Sequence, residues 1–132
     1  MSDLERRIAP PLLALRLGVF VVMLMWTLDK FVNPGHGIAI FEKFYGLSGA
    51  DTVLMQVIGA LELLLLLLFV SGTLKFWSYG AVLVLHGVST LSSWQQYLQP
   101  WDHLLFFAAW PMLAACYALF VLRDYDRLLS RS

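Results

Sequence analysis

Charge is what this sequence has least of. Asp, Glu, Lys and Arg together make up 14% of the chain, whereas a soluble domain carries roughly a quarter. That deficit argues for a membrane protein before any segment is inspected. The charge that is present cancels, with nine basic and nine acidic residues, so nothing points to a nucleic-acid partner. Cysteine is nearly absent. The single Cys116 excludes an internal disulfide and a C-x-x-C redox pair. With no Cys/His cluster at ligand spacing, no metal site is expected. What fills the chain instead is apolar: 60% of its residues are hydrophobic.

These apolar residues fall into four runs, at about 12–31, 52–70, 76–94 and 102–122. Each is long enough to cross a hydrocarbon core as a helix. The first is longer than the core of a secretory signal and lacks a small-x-small cleavage site, so it is read as retained. Pro10 and Pro11 suit the first turn of that helix, and Pro111 predicts a kink in the last. Between the first two runs, Asn33 and Pro34 can start a short helix over about 35–46. Its Phe41, Phe44 and Tyr45 share one side, which suits the headgroup region. Gly46 to Asp51 reads as a loop, and Asp102 as the N-cap of the last helix. The expectation is a single all-α domain over 1–132, a four-span up-down-up-down bundle with one outward interfacial helix.

Basic residues set the orientation. Arg6, Arg7, Lys75, Arg123, Arg127 and Arg131 fall on one side, and Lys30 and Lys43 on the other. The positive-inside rule then puts both termini in the cytoplasm of an inner-membrane protein. The tail RDYDRLLSRS reads as a solvated basic end.

The informative residues are the polar ones inside the runs. Glu62 lies near the middle of TVLMQVIGALELLLLLLFV, where a carboxylate costs about 3 kcal/mol on insertion scales. At 100° per residue, Tyr79, His86, Thr90, Ser93 and Tyr97 form one stripe on the third run. Arg16, Met23, Thr27 and Lys30 line one face of the first, and His103, Phe107, Trp110, Ala114 and Tyr117 one face of the last. Such stripes face the bundle interior or a wet cavity. Depth suggests an Arg16–Glu62 ion pair with His86 beside it. The pair has two readings, a lock on helix register or a ligand- or proton-handling site. A second constellation, Asp29, Lys30, His36, Asp102 and His103, gathers at the outer end.

Arg16-Leu17-Gly18, Asp29-Lys30-Phe31 followed by Asn33-Pro34, Gly59-Ala60-Leu61-Glu62-Leu63 and Gly72-Thr73 resemble the motifs of DoxX-type membrane proteins. The resemblance covers the first three runs, and the fourth matches only as an apolar helix. Trp26-Thr27 stands where the family often has a small residue before the Asp-Lys pair. The resemblance implies a four-helix inner-membrane protein, and some relatives are linked to thiosulfate or thiol oxidation coupled to quinone in larger assemblies. The wider superfamily is similar to vitamin K epoxide reductase-like bundles, whose chemistry needs cysteine pairs that one cysteine cannot supply.

Two function classes follow. The first is a non-catalytic accessory, assembly or ligand-binding module. It would hold a lipid or hydrophobic small molecule at Arg16, Glu62 and His86, with Tyr79, Thr90, Asp29 and Trp110 around them. The alternative is a quinone-binding subunit of an oxidoreductase complex. Its partners would be the bilayer and either another membrane protein or a second copy. A transporter is a distant third, because four spans leave little room for alternating access.

Overall fold

A computed structural model describes residues 2–46, 49 and 51–131. Half of the loop expected at 46–51 lies outside them, at positions 47, 48 and 50. Among the described residues all regular structure is helical: α1 (Asp3–Val32), α2 (Pro34–Tyr45), α3 (Thr52–Val70), α4 (Lys75–Ser92), the short α5 (Trp94–Tyr97) and α6 (Ala109–Val121). A 3₁₀ turn at Leu104–Ala108 leads into α6, and another at Arg123–Tyr125 follows it. Helix α1 packs on α3, α3 on α4, α4 on α6, and α6 back on α1, which closes a ring of four. Helix α2 lies across α1 and α3. Three stretches are long and apolar enough to cross a membrane: Asp3–Val32, Thr52–Val70 and Leu104–Val121. Helix α4 falls short on composition because Ser78, Tyr79, His86 and Thr90 dilute it, yet these four are buried inside the protein.

The helix ends follow their local chemistry, with several departures from expectation. Helix α1 begins at Asp3, before Pro10 and Pro11, because Ser2 caps it. The Ser2 hydroxyl accepts from the Glu5 amide at 3.2 Å and donates to the Glu5 carboxylate at 3.4 Å, which satisfies one free amide of the first turn. Asp51 caps α3 in the same way, accepting from the Leu54 amide at 2.8 Å. Asp102 caps nothing: the helical chain starts after His103 with no side-chain cap. Pro111 does not sit mid-helix either. The chain winds as 3₁₀ through Ala108, so Pro111 falls in the first turn of α6, where a missing N–H removes no bond.

The termini and the α3–α4 turn share one end of the bundle, and the tail, expected to be solvated, is largely exposed but anchored at a few points. Arg127 pairs with Glu5 at 3.1 Å, the Arg131 amide donates to the Ser71 carbonyl at 2.8 Å, and Asp126 is fully buried. The core lies between the four long helices at this end. Leu12, Val19, Leu66, Phe69, Val82, Cys116 and Leu119 pack there around the Tyr79 ring.

Candidate functional site

Glu62 and Arg16 do not meet. Fourteen residues separate Arg16 from Lys30 on α1, about 21 Å along the axis, and the two charges find partners at opposite ends of it. Near the outer end, the Lys30 ammonium lies 3.1 Å from one Glu62 oxygen. It donates to the other at 3.3 Å, and the Thr27 hydroxyl donates to the same oxygen at 3.1 Å. Thr27 and Lys30 are three residues apart, one above the other on α1. Gly59, one turn from Glu62, sits against Phe31: a Cβ there would lie 2.8 Å from its ring. That close approach brings α1 and α3 near enough for the pair to form.

Arg16 turns toward the termini instead. Its guanidinium lies 3.1 Å from the Asp126 carboxylate. It also donates to the Tyr79 hydroxyl at 3.3 Å and to the carbonyls of Leu128 and Leu129. Tyr79 donates to Asp126 at 2.5 Å, and Lys75 donates to the Asp126 carbonyl at 2.6 Å. Arg16 and Asp126 are both 0% exposed.

The polar stripe of α4 therefore divides by depth. Tyr79 belongs to the Arg16–Asp126 group, whereas His86 and Thr90 line a cavity of about 1000 Å³. This cleft runs between α1, α2, α4 and the Leu104–Val121 stretch and is walled mostly by apolar residues, Val, Leu, Ile, Met, Phe and Ala among them. Polar groups enter it at Glu62, Lys30, Asp29, His36, His86, Thr90 and Tyr97. His86 Nε2 donates to the Ala109 carbonyl at 3.0 Å. A carbonyl only accepts, so a neutral His86 keeps its proton on Nε2 and carries a lone pair on Nδ1. That Nδ1 is buried and has no hydrogen-bond partner among the described residues. The imidazole also stacks on Trp26, with centroids 5.9 Å apart and planes at 19°.

At the mouth, His36 Nδ1 meets the Asp29 carboxylate at 2.5 Å. Helix α2 closes this side with Ile40, Phe41, Phe44 and Tyr45, which line the cleft as a lid would. Phe44 reaches across to Phe106 with ring centroids 6.2 Å apart. Below it, the Tyr97 hydroxyl donates to the Thr90 carbonyl at 2.9 Å, and burial holds its phenol above the usual range.

Of the seven residues singled out in the sequence, the cavity gathers Glu62, His86, Thr90 and Asp29. Arg16 and Tyr79 belong to the terminal-end group. Trp110 is on neither; it is 42% exposed and packs on Tyr97 at 5.3 Å. The face of α6 expected to point inward turns out, with Tyr117 62% exposed, while Cys116 and Leu119 are buried. Asp102 and His103 do not join Asp29 and His36; His103 packs on Phe106 instead.

Sequence reasoning missed Asp126 and the Lys30–Glu62 pairing. Lys30 was legible in principle: its long stem lets the ammonium reach inward from the end of a helix. Comparison of the chain with protein-family profiles, curated proteins and solved structures gives no match.

Proposed function

We propose that this chain is a small membrane module that holds a lipid or hydrophobic small molecule in the cleft between its helices. One observation carries the reading: a cavity of about 1000 Å³ with mostly apolar walls and polar side chains set among them. That is the ordinary composition of a small-molecule site. The apolar part of the ligand lies against Val22, Met23, Leu85 and Met112. Its polar head lies toward Glu62, Lys30 and His86. The buried His86 Nδ1 lacks a donor, a cost of about 1–3 kcal/mol that a ligand hydroxyl removes.

In this reading α4 is a fourth span. Its 18 residues extend about 27 Å, close to the hydrocarbon thickness, and its polar side chains face inward. Helix α2 rests in the outer headgroup layer as the lid of the cleft. The basic residues favour an inner membrane with both termini cytoplasmic. The DoxX-type resemblance is part of this reading, with Trp26, at the point of departure, in the cleft wall. No catalytic residue is assigned, and the module acts as an accessory or assembly unit for another membrane protein or a second copy.

A quinone-binding subunit is the second reading, favoured by the two polar groups that Glu62 and the unsatisfied His86 Nδ1 bring to the lining of one cavity, since a reduced quinone carries two hydroxyls. Organic extraction of the purified protein with mass spectrometry tests both. The expected result is a hydrophobic molecule retained through purification and weakened in retention by Glu62→Gln. A quinone in the extract selects the second reading. Bulk phospholipid alone, unchanged by the substitution, removes both.

A further inference from the structure

The acidic and basic side chains that line the cleft are Asp29, Lys30, His36, Glu62 and His86. Lys30 is spent on Glu62, at 3.1 and 3.3 Å from its two oxygens, and Asp29 is spent on His36 Nδ1 at 2.5 Å. Just outside the lining, Glu42 and Lys43 are both exposed and opposite in sign. Asp102 stands beside His103, which packs on Phe106, so neither neighbouring pair adds a net positive charge. An anionic head would therefore meet two carboxylates and no spare cation. A cationic head would have to take Glu62 from Lys30 or Asp29 from His36, and stranding a charge in a mostly apolar cavity is costly.

What the lining does leave open is an acceptor. Of the buried side-chain atoms without a hydrogen bond among the described residues, Nδ1 of His86 is the one that belongs to a lining residue. Its partner nitrogen is given to the Ala109 carbonyl. No carboxylate pairs with the ring among the described residues, so nothing there favours a second proton and the lone pair stays open. An O–H group satisfies it without breaking any bond already made. An ether, an ester or a ketone only accepts, and leaves Nδ1 unpaired. Sites with a buried polar group discriminate strongly against analogues that lack the matching one.

Resting on the reading of the cleft as a ligand site, we infer that its ligand is an uncharged amphiphile whose head carries a hydroxyl donating to His86 Nδ1. Fatty acids, phospholipids and amines are selected against by the paired charges of the lining.

The test uses probes that share a hexadecyl chain and differ in the head: hexadecanol, its methyl ether, hexadecanesulfonate and hexadecylammonium. Each is mixed at the same mole fraction into phosphatidylcholine nanodiscs holding the full chain, and retained probe is counted by native mass spectrometry. Wild type is expected to retain hexadecanol about ten-fold over its ether, as one buried hydrogen bond would give, and to retain it over both charged probes. His86→Phe should lower hexadecanol to the level of the ether. Glu62→Gln, which takes the acid from Lys30, should raise hexadecanesulfonate relative to hexadecanol. On wild type, an ether held as well as the alcohol, or a charged probe held better than it, overturns the inference even if a variant fails to fold. Retention of no probe at all overturns the ligand-site reading and the inference with it, so the two failures are told apart.

Discussion

Arg16 and Glu62 show how far a single charged side chain can be read in a helix. Each needs a partner, and each has one; the residue types announced that much. The choice of partner depends on which way a long side chain leans. Arg16 leans toward the terminal end, where Asp126, Tyr79 and two carbonyls satisfy it, and Lys30 leans inward to Glu62. Arg16→Leu should therefore cost about 3–5 kcal/mol, because it strands Asp126 in a fully buried position. Chemical unfolding in detergent measures this. Exchanging the charges as Arg16→Asp with Asp126→Arg should recover part of the loss, whereas Arg16→Glu with Glu62→Arg should recover none. Recovery by the second exchange alone would restore the Arg16–Glu62 pairing. The Lys30–Glu62 pair is partly exposed, so Lys30→Met should cost less, about 1 kcal/mol. Asp126 was hidden from sequence reasoning by its company: in RDYDRLLSRS nothing distinguishes the buried acid from its exposed neighbours.

At the scale of elements, hydrophobic run length located the long helices well, and their ends were set by local chemistry. Helix α1 starts about two turns before the apolar run because Ser2 caps it. The final helix changes from 3₁₀ to α just ahead of Pro111, a shift that composition does not encode. Which face of α6 points inward was misread for a related reason: Trp110 and Tyr117 look outward, and Cys116 and Leu119 pack inward. The α3–α4 turn holds the tail. Gly72 has φ +69°, and a Cβ on it would lie 2.8 Å from Ser130 Cβ. Gly72→Ala should cost about 1–2 kcal/mol from the left-handed backbone and displace 126–131. Trypsin should then cleave faster after Arg127. Leu74 adopts the left-handed region too, with φ 51°, and its side chain is exposed. Leu74→Gly should accordingly leave stability unchanged or raise it. Equal destabilisation by both substitutions would mean the turn is not built this way.

At the scale of the whole molecule, four helices of this length could pack into a solid bundle, and near the termini they do. Toward the other end they separate, α2 crosses the gap, and the cleft remains. Volume of this kind arises from how helices diverge, and periodicity along single helices carries no information about it. The stripe of α4 did show that something polar lay inside; it did not show that the inside was hollow. Filling the hollow is thus the most direct trial of its purpose. Gly18 lines the cleft, and a side chain added there meets nothing within 4 Å of its Cβ, so Gly18→Phe should occupy the space with the fold intact. Ligand content is to be measured by native mass spectrometry on wild type and Gly18→Phe, matched for thermal unfolding. Wild type should carry a bound hydrophobic molecule that Gly18→Phe lacks. The same bound mass on both proteins, or none on wild type, would mean that the cleft is not a ligand site.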